Sequence, residues 1–223
     1  ASLIFVWVVS VPIGIYSAVR RQSVGDHVFT FLGFIGLAIP NFFLALILMY
    51  LVLQVYFRTG VMVFPVSGMT SSGFEQFSFW QKVVDVAWHA VLPIVVLTTS
   101  DIAGFSRIMR GQMLEALSQD YVRTARAKGL AERVVLYKHA LRNALIPIVT
   151  LVGLAIPGVL GGATITETIF SYPGMGRAIF DALVEKDYNV AMAALAFLAL
   201  MTALFNLLAD LAYAVVDPRI RYS

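Results

Sequence analysis

The residues of this chain whose types and spacing could do chemistry are concentrated in one basic run, "DYVRTARAKGLAERVVLYKHALRNALIP", residues 120–147. Between Arg107 and Arg142 eight basic residues stand against three acids, Glu115, Asp120 and Glu132. Such a surface can bind anionic lipid head groups, or it can dock a soluble partner as a slim helix entering a groove. Bond-making chemistry lacks its parts. The 223 residues contain no cysteine, no "GxSG" or "HExxH" pattern, and no Ser–His pair at a spacing that argues for a nucleophile and its base. Cysteine-ligated metals, iron–sulfur clusters and disulfides are excluded with the thiols.

The elements that must position this segment are membrane helices. Hydrophobic residues make up 60% of the chain and charged residues 13%, about half the usual share of a soluble domain; mean hydropathy is +0.84. Charge-free runs stand at 1–19, 28–57, 86–100 (prolonged by 102–106 after Asp101), 143–166 and 188–209. Each is near or above the roughly 20 residues that cross hydrocarbon as a helix, so five spans are predicted. Pro40–Asn41 falls inside the second run and predicts a kink there; Pro147 and Pro157 fall in the fourth. The chain opens on Ala in an apolar run with no basic stretch before it and no cleavage pattern after it, which does not read as a signal peptide.

Orientation follows from the basic residues, which stay on the cytoplasmic side of short loops. Twelve of the sixteen fall in 20–27, 107–142 and the tail, against four in the two other loops. The basic segment and the C-terminus are therefore expected in the cytoplasm, and the pI of 9.3 needs no nucleic acid to explain it. Leu114, Leu117, Tyr121 and Val122, then Leu130, Val134, Leu141 and Leu145, recur at helical spacings, with Gly129 placed as a C-cap between two short helices. Ala125, Ala127 and Gly129 are expected to keep the ridge slim.

Asp101 and Asp210 each interrupt an apolar run near its predicted cytoplasmic end, where a carboxylate paired with a nearby Arg is expected. Asn41, beside Pro40, is a candidate either for lining a pathway or for capping a broken helix; Asn41 and Asp101 together are the candidate path residues. His89 is expected at an interfacial helix start and His139 in solvent.

The stretch resembles the "EAA" loop of ABC importer permeases, whose pattern is Glu-Ala-Ala, three residues, Gly, nine residues, then Ile-x-Leu-Pro. Aligning Gly129 places Arg123–Ala125 on the first triplet and His139–Arg142 on the last motif. Ala125, Gly129 and Leu141 match; Arg123, His139 and Arg142 replace the glutamate, isoleucine and proline. One branch is matched more fully: "DYVRTARAKGL", "HALRNALIPIVT", "ETIFSYPGMGR" and "DPRIRY" resemble, in order, the inner-membrane permeases of dipeptide, oligopeptide and nickel importers, and most of all the first of their two permeases.

The resemblance implies an all-helical type I ABC importer permease domain over 1–216, with a coupling loop at 107–142, external loops at 58–86 and 167–189, and a cytoplasmic tail at 217–223. A further span is expected before Ala1. It implies a non-catalytic subunit that pairs with a second homologous permease, receives substrate from an external binding protein, and sits on two ATPase subunits that hold ATP and Mg²⁺; the chain itself needs no cofactor. Coupling to the ATPases is implied for Arg123, Thr124, Ala125, Arg126, Ala127, Lys128, Gly129 and Leu130. Peptides are the favoured cargo; a nickel chelate, or a carrier or channel working without an ATPase, are the alternatives.

Overall fold

The structure, a computed structural model, describes residues 2–149, 151, 155 and 163–216, the side chains of 209–216 excepted. Among the described residues every regular element is helical: α1 (Ser2–Val19), α2 (Val24–Ala38), α3 (Asn41–Thr59), a 3₁₀ turn (Phe74–Gln76), α4 (Phe79–Ser118), α5 (Asp120–Ala127), α6 (Glu132–Val134) running through a π-helical stretch (Val135–Leu141) into α7 (Arg142–Ala144), then α8 (Thr164–Ile169), α9 (Met175–Val184) and α10 (Tyr188–Val216). Helices α1, α3 and α4, and α10 over Tyr188–Leu208, are each long and apolar enough to cross a membrane. They account for four of the five expected spans. The fifth, 143–166, lies largely outside the described residues, as do Pro157 and the Asp210 side chain.

Pro40 does more than kink the second run. A proline has no N–H to continue the ladder and drives the preceding residue out of helical conformation. Ile39 is accordingly extended (φ −86°, ψ 118°), α2 stops at Ala38, and α3 restarts with Pro40 as its N-cap. Gly36 O, which would have accepted the missing N–H of residue 40, accepts instead from Ser100 Oγ of α4 at 3.2 Å. The same hydroxyl lies 3.1 Å from Asn41 Oδ1.

Helix α4 is the axis of the fold. Its 40 residues rise about 60 Å, twice the roughly 30 Å of hydrocarbon, so it must project well beyond one face. Its start is fixed by a capping box in which Gln81 and Ser78 bond reciprocally, seven residues before the charge-free run begins. Nor does it stop at Arg107, because Met109, Met113 and Ala116 continue an inward stripe and no Pro stands between Arg107 and Ser118; the one proline inside α4, Pro93, lies further back. The charge boundary marks where hydrocarbon ends, and the helix runs on for eleven more residues beyond Arg107, to Ser118.

Helix α1 lies along α4 in the most extensive contact between two described elements. Its inward face is small: Ser10, Gly14, Ser17 and Ala18 are buried. Lipid offers no hydrophobic drive between helices, so close van der Waals approach must supply the association, and small residues permit it. At Gly14 a Cβ would stand 2.6 Å from Met109 Cβ and 2.7 Å from Ser106 O. Helix α2 is tied to α4 beside this pair by a bidentate ion pair between Arg110 and Asp26, both N···O distances 3.0 Å, with Asp26 Oδ2 also accepting from Gln22 N–H. Asp26 is 3% exposed. Sequence reasoning looked for Arg partners of Asp101 and passed over Asp26, although its place three residues after the N-cap Ser23, whose hydroxyl accepts from Asp26 N–H, marked it as fixed.

On the opposite end, Glu167 of α8 accepts from Ala163 N–H (3.0 Å) and Arg177 N–H (2.8 Å), pinning the "SYPGMG" turn against the start of α9. Gly174 leaves room for that carboxylate, since a Cβ there would overlap it. His89 is not at an interfacial helix start: it is buried ten residues into α4, its Nδ1 2.9 Å from Asp85 O.

Gly14→Ala should push α1 off α4 and cost about 1–3 kcal/mol by overpacking, whereas Gly104→Ala, where a Cβ meets nothing within 4 Å, should be neutral or slightly stabilising. Thermal unfolding of the two purified variants checks this; equal midpoints would show that the close approach carries no energy.

Candidate functional site

The basic segment is built downward from α4. After Ser118 the chain takes one extended residue, Gln119 (φ −73°, ψ 151°), and turns into α5. Val122 and Ala125, three apart, face inward and are 0% and 5% exposed; they pack with Met109, Met113 and Ala116 of α4, Ala18 of α1, and Val135, Ala140 and Ala144 of the following helical run. Burying Val122 alone contributes about 1.5–3 kcal/mol. Leu114, Leu117, Leu141 and Leu145 flank this core as their spacing predicts, but Tyr121, Leu130 and Val134 are exposed.

Gly129 ends α5 as expected. It sits at φ +74°, its N–H donates to Arg126 O (2.9 Å) and Leu130 N–H donates to Ala125 O (3.4 Å). That is the two-bond Schellman closure, which needs a left-handed residue at this position. A Cβ on Gly129 would meet nothing within 4 Å. Glycine is therefore required by backbone conformation and not by a near neighbour within the chain.

Electrostatics fasten the turn a second time. Arg126 grips Glu132 through Nε–Oε2 (3.1 Å) and Nη2–Oε1 (2.7 Å), so the start of α6 is tied back to α5. The hydrogen bonds from Arg126 hold the Glu132 carboxyl below its ordinary value. The clasp therefore contributes fully above the ordinary glutamate range and is lost as pH falls through the lowered value. Both side chains are half exposed, so water and salt weaken it. Within α5, Thr124 Oγ1 donates to Asp120 O at 2.9 Å, and Arg123 reaches Asp120 at 3.5 Å from an exposed position.

Of the eight candidate residues, Arg123, Thr124, Arg126, Ala127, Lys128, Gly129 and Leu130 share one exposed surface. Ala125 points the other way. Its small size serves the contact with α4 and not the outer ridge, which corrects the expectation that Ala125, with Ala127 and Gly129, keeps that ridge slim. His139 is half-buried, where a fully solvated position is expected. Val135–Leu141 winds as a π-helix behind α5, a local departure often found at functional positions.

The two path candidates separate. Asn41 lines a cavity of about 460 Å³ with Phe42 of α3, Leu97 of α4, and Ala163, Thr164, Ile165 and Thr166. Its amide is held by Ser100, and the cap of α3 is Pro40, so Asn41 does not cap. Asp101 is exposed on α4 and does not line that cavity. The expected Arg partner is absent: among the described residues Asp101 has no ion pair, and Arg110 is committed to Asp26.

Comparison with known proteins adds a family. The profile described as "Binding-protein-dependent transport system inner membrane component" matches residues 10–222. The oligopeptide transport system permease protein AppB of Bacillus subtilis (strain 168) is 45% identical over 224 residues, covering 99% of this chain and 67% of that protein. The dipeptide transport system permease protein DppB of Escherichia coli (strain K12) is 41% identical over 232 residues, 99% and 68% of the two chains. The protein of the same name from Alkalihalophilus pseudofirmus is 38% identical over 237 residues, 99% and 69%.

If conformation alone fixes Gly129, Gly129→Ala should cost about 1–2 kcal/mol locally and Gly129→Asn distinctly less. Tryptic cleavage at Arg126 and Lys128, which follows the population of the opened turn, should rise about five-fold or more for Ala and little for Asn. Equal rates in all three proteins would contradict the Schellman account.

Proposed function

This chain belongs to the binding-protein-dependent transport system inner membrane components, and we propose that within that family it is one of two permease subunits of an ATP-driven peptide importer. The observation that carries the reading is the exposed basic surface of α5, held on the projecting end of α4 by a buried core and closed by Gly129. A loose lipid-binding segment would need the charges but not the rigid seat. The peptide cargo rests on the relatives, whose names are oligopeptide and dipeptide permeases; the nickel-chelate reading is not favoured by them.

In this proposal the chain hydrolyses nothing. Two ATPase subunits with ATP and Mg²⁺ bind at the α5 surface, through Arg123, Thr124, Arg126, Ala127, Lys128, Gly129 and Leu130, with Ala125 as the inward anchor. A second homologous permease completes the path, and an external binding protein delivers substrate to the side carrying the Glu167-pinned turn. The basic segment and C-terminus face the cytoplasm, as the distribution of Lys and Arg favours. When the ATPases close, α5 is displaced, and because its core is continuous with α4 and α1 the displacement is handed to the membrane helices as a rigid-body rocking. A carrier or channel would need neither the ATPase nor the seated α5.

A single thiol tests this cleanly, since the chain has none of its own. With Ala127→Cys, a specific cross-link from position 127 to a co-purifying ATPase is expected. An accessible thiol that never finds an ATPase would favour the carrier.

A further inference from the structure

The break between α2 and α3 sits at the middle of the charge-free run 28–57, with a 15-residue helix on one side and a 19-residue helix on the other. Inside an apolar run, backbone groups left open must be buried in protein or face an aqueous cavity. Helix α3 opens without a side-chain cap. Pro40 O accepts from Phe43 and Leu44 N–H, which leaves the Asn41 and Phe42 N–H groups of the first turn directed out of the helix's start. Both residues line the 460 Å³ cavity. Across it, Thr166 is 4% exposed, and its hydroxyl has no hydrogen-bond partner among the described residues. The Asn41 amide, its oxygen taken by Ser100, presents its Nδ2. None of the cavity's lining residues is acidic.

This is a donor-rich pocket at the positive end of a half-helix, and its complement is an anionic acceptor. One turn along α4 from Leu97, on the same helix face, stands Asp101, an ionisable residue in a membrane helix with no ion pair among the described residues. A helical turn is about 5.4 Å, and an extended dipeptide spans about 7 Å. We propose that the α2–α3 break is a binding station on the translocation path for a short zwitterionic peptide, whose carboxylate meets the start of α3 and Thr166 and whose ammonium meets Asp101. The proposal rests on the importer reading and deepens it.

The test uses the assembled importer and single-cysteine variants Thr166→Cys and, should that one not assemble, Asn41→Cys. Each thiol is exposed to an anionic and to a cationic methanethiosulfonate, with and without excess dipeptide, and modification of this chain is read by mass. The anionic reagent should react about five-fold faster or more, dipeptide should slow both, and adding Asp101→Asn should raise the dipeptide concentration needed for protection about five-fold. Equal reagent rates, an unreactive thiol or no protection, in a complex that still takes up peptide, would overturn the station while leaving the importer intact. Protection unchanged by Asp101→Asn would remove the ammonium half. A wild-type complex that takes up no peptide would overturn the importer reading and the station with it.

Discussion

The structure depends on how closely α1 can approach α4. Lipid does not drive two apolar helices together, and the contact holds only because Gly14 lets the backbone of α1 sit against Ser106 and Met109. Everything toward the basic end is assembled on that pair. The Asp26–Arg110 bridge fixes the entry of α2 against it, and Met109, Met113 and Ala116, with Ala18, form the floor on which Val122 and Ala125 of α5 rest. A Met-rich floor suits such a seam, because flexible thioether side chains fill irregular space between packed helices.

The length of α4 turns this packing into a mechanical link. A helix of about 60 Å cannot be contained in about 30 Å of hydrocarbon, and its surplus is the platform that carries α5. Two hydrophobic clusters divide along it. One, at the basic end, includes Ala18, Val122 and Val135; the other, around Ala45, Leu92, Val96 and Phe170, joins α3 and α4 to the segment that Glu167 pins. The broken helix lies between them, where Ser100 stands in for a backbone donor that Pro40 cannot supply. Helix α4 runs unbroken past this interruption and joins the two clusters.

What was legible in the sequence follows the physics each signal reports. Hydropathy reports burial in lipid, so the apolar runs gave the spans; it does not report where a helix ends, so α4 was cut short at Arg107 and started late at Val86. Gly129 was readable because only a conformational requirement places glycine between two amphipathic stretches. Ala125 was misread, since small residues serve an outer ridge and an inner contact equally and only the three-residue phase with Val122 distinguishes them. Asp26 and Arg110 lie 84 positions apart, and no local pattern pairs them. Pro40 announced a disturbance, but whether a helix bends or breaks depends on what its neighbours offer the orphaned carbonyl, and Ser100 is far off in sequence.

The central claim is that α5 moves with α4 as one body. Spin labels at Glu115→Cys on the projecting end of α4 and Lys128→Cys at the end of α5, both exposed positions in a chain without native thiols, report their separation directly. In the assembled transporter the account predicts one narrow distance distribution, unchanged between the nucleotide-free and ATP-bound states. A shift or a broadening on ATP binding would mean that α5 swings on its own tether, and the transmission through Val122, Ala125 and Met113 would not hold.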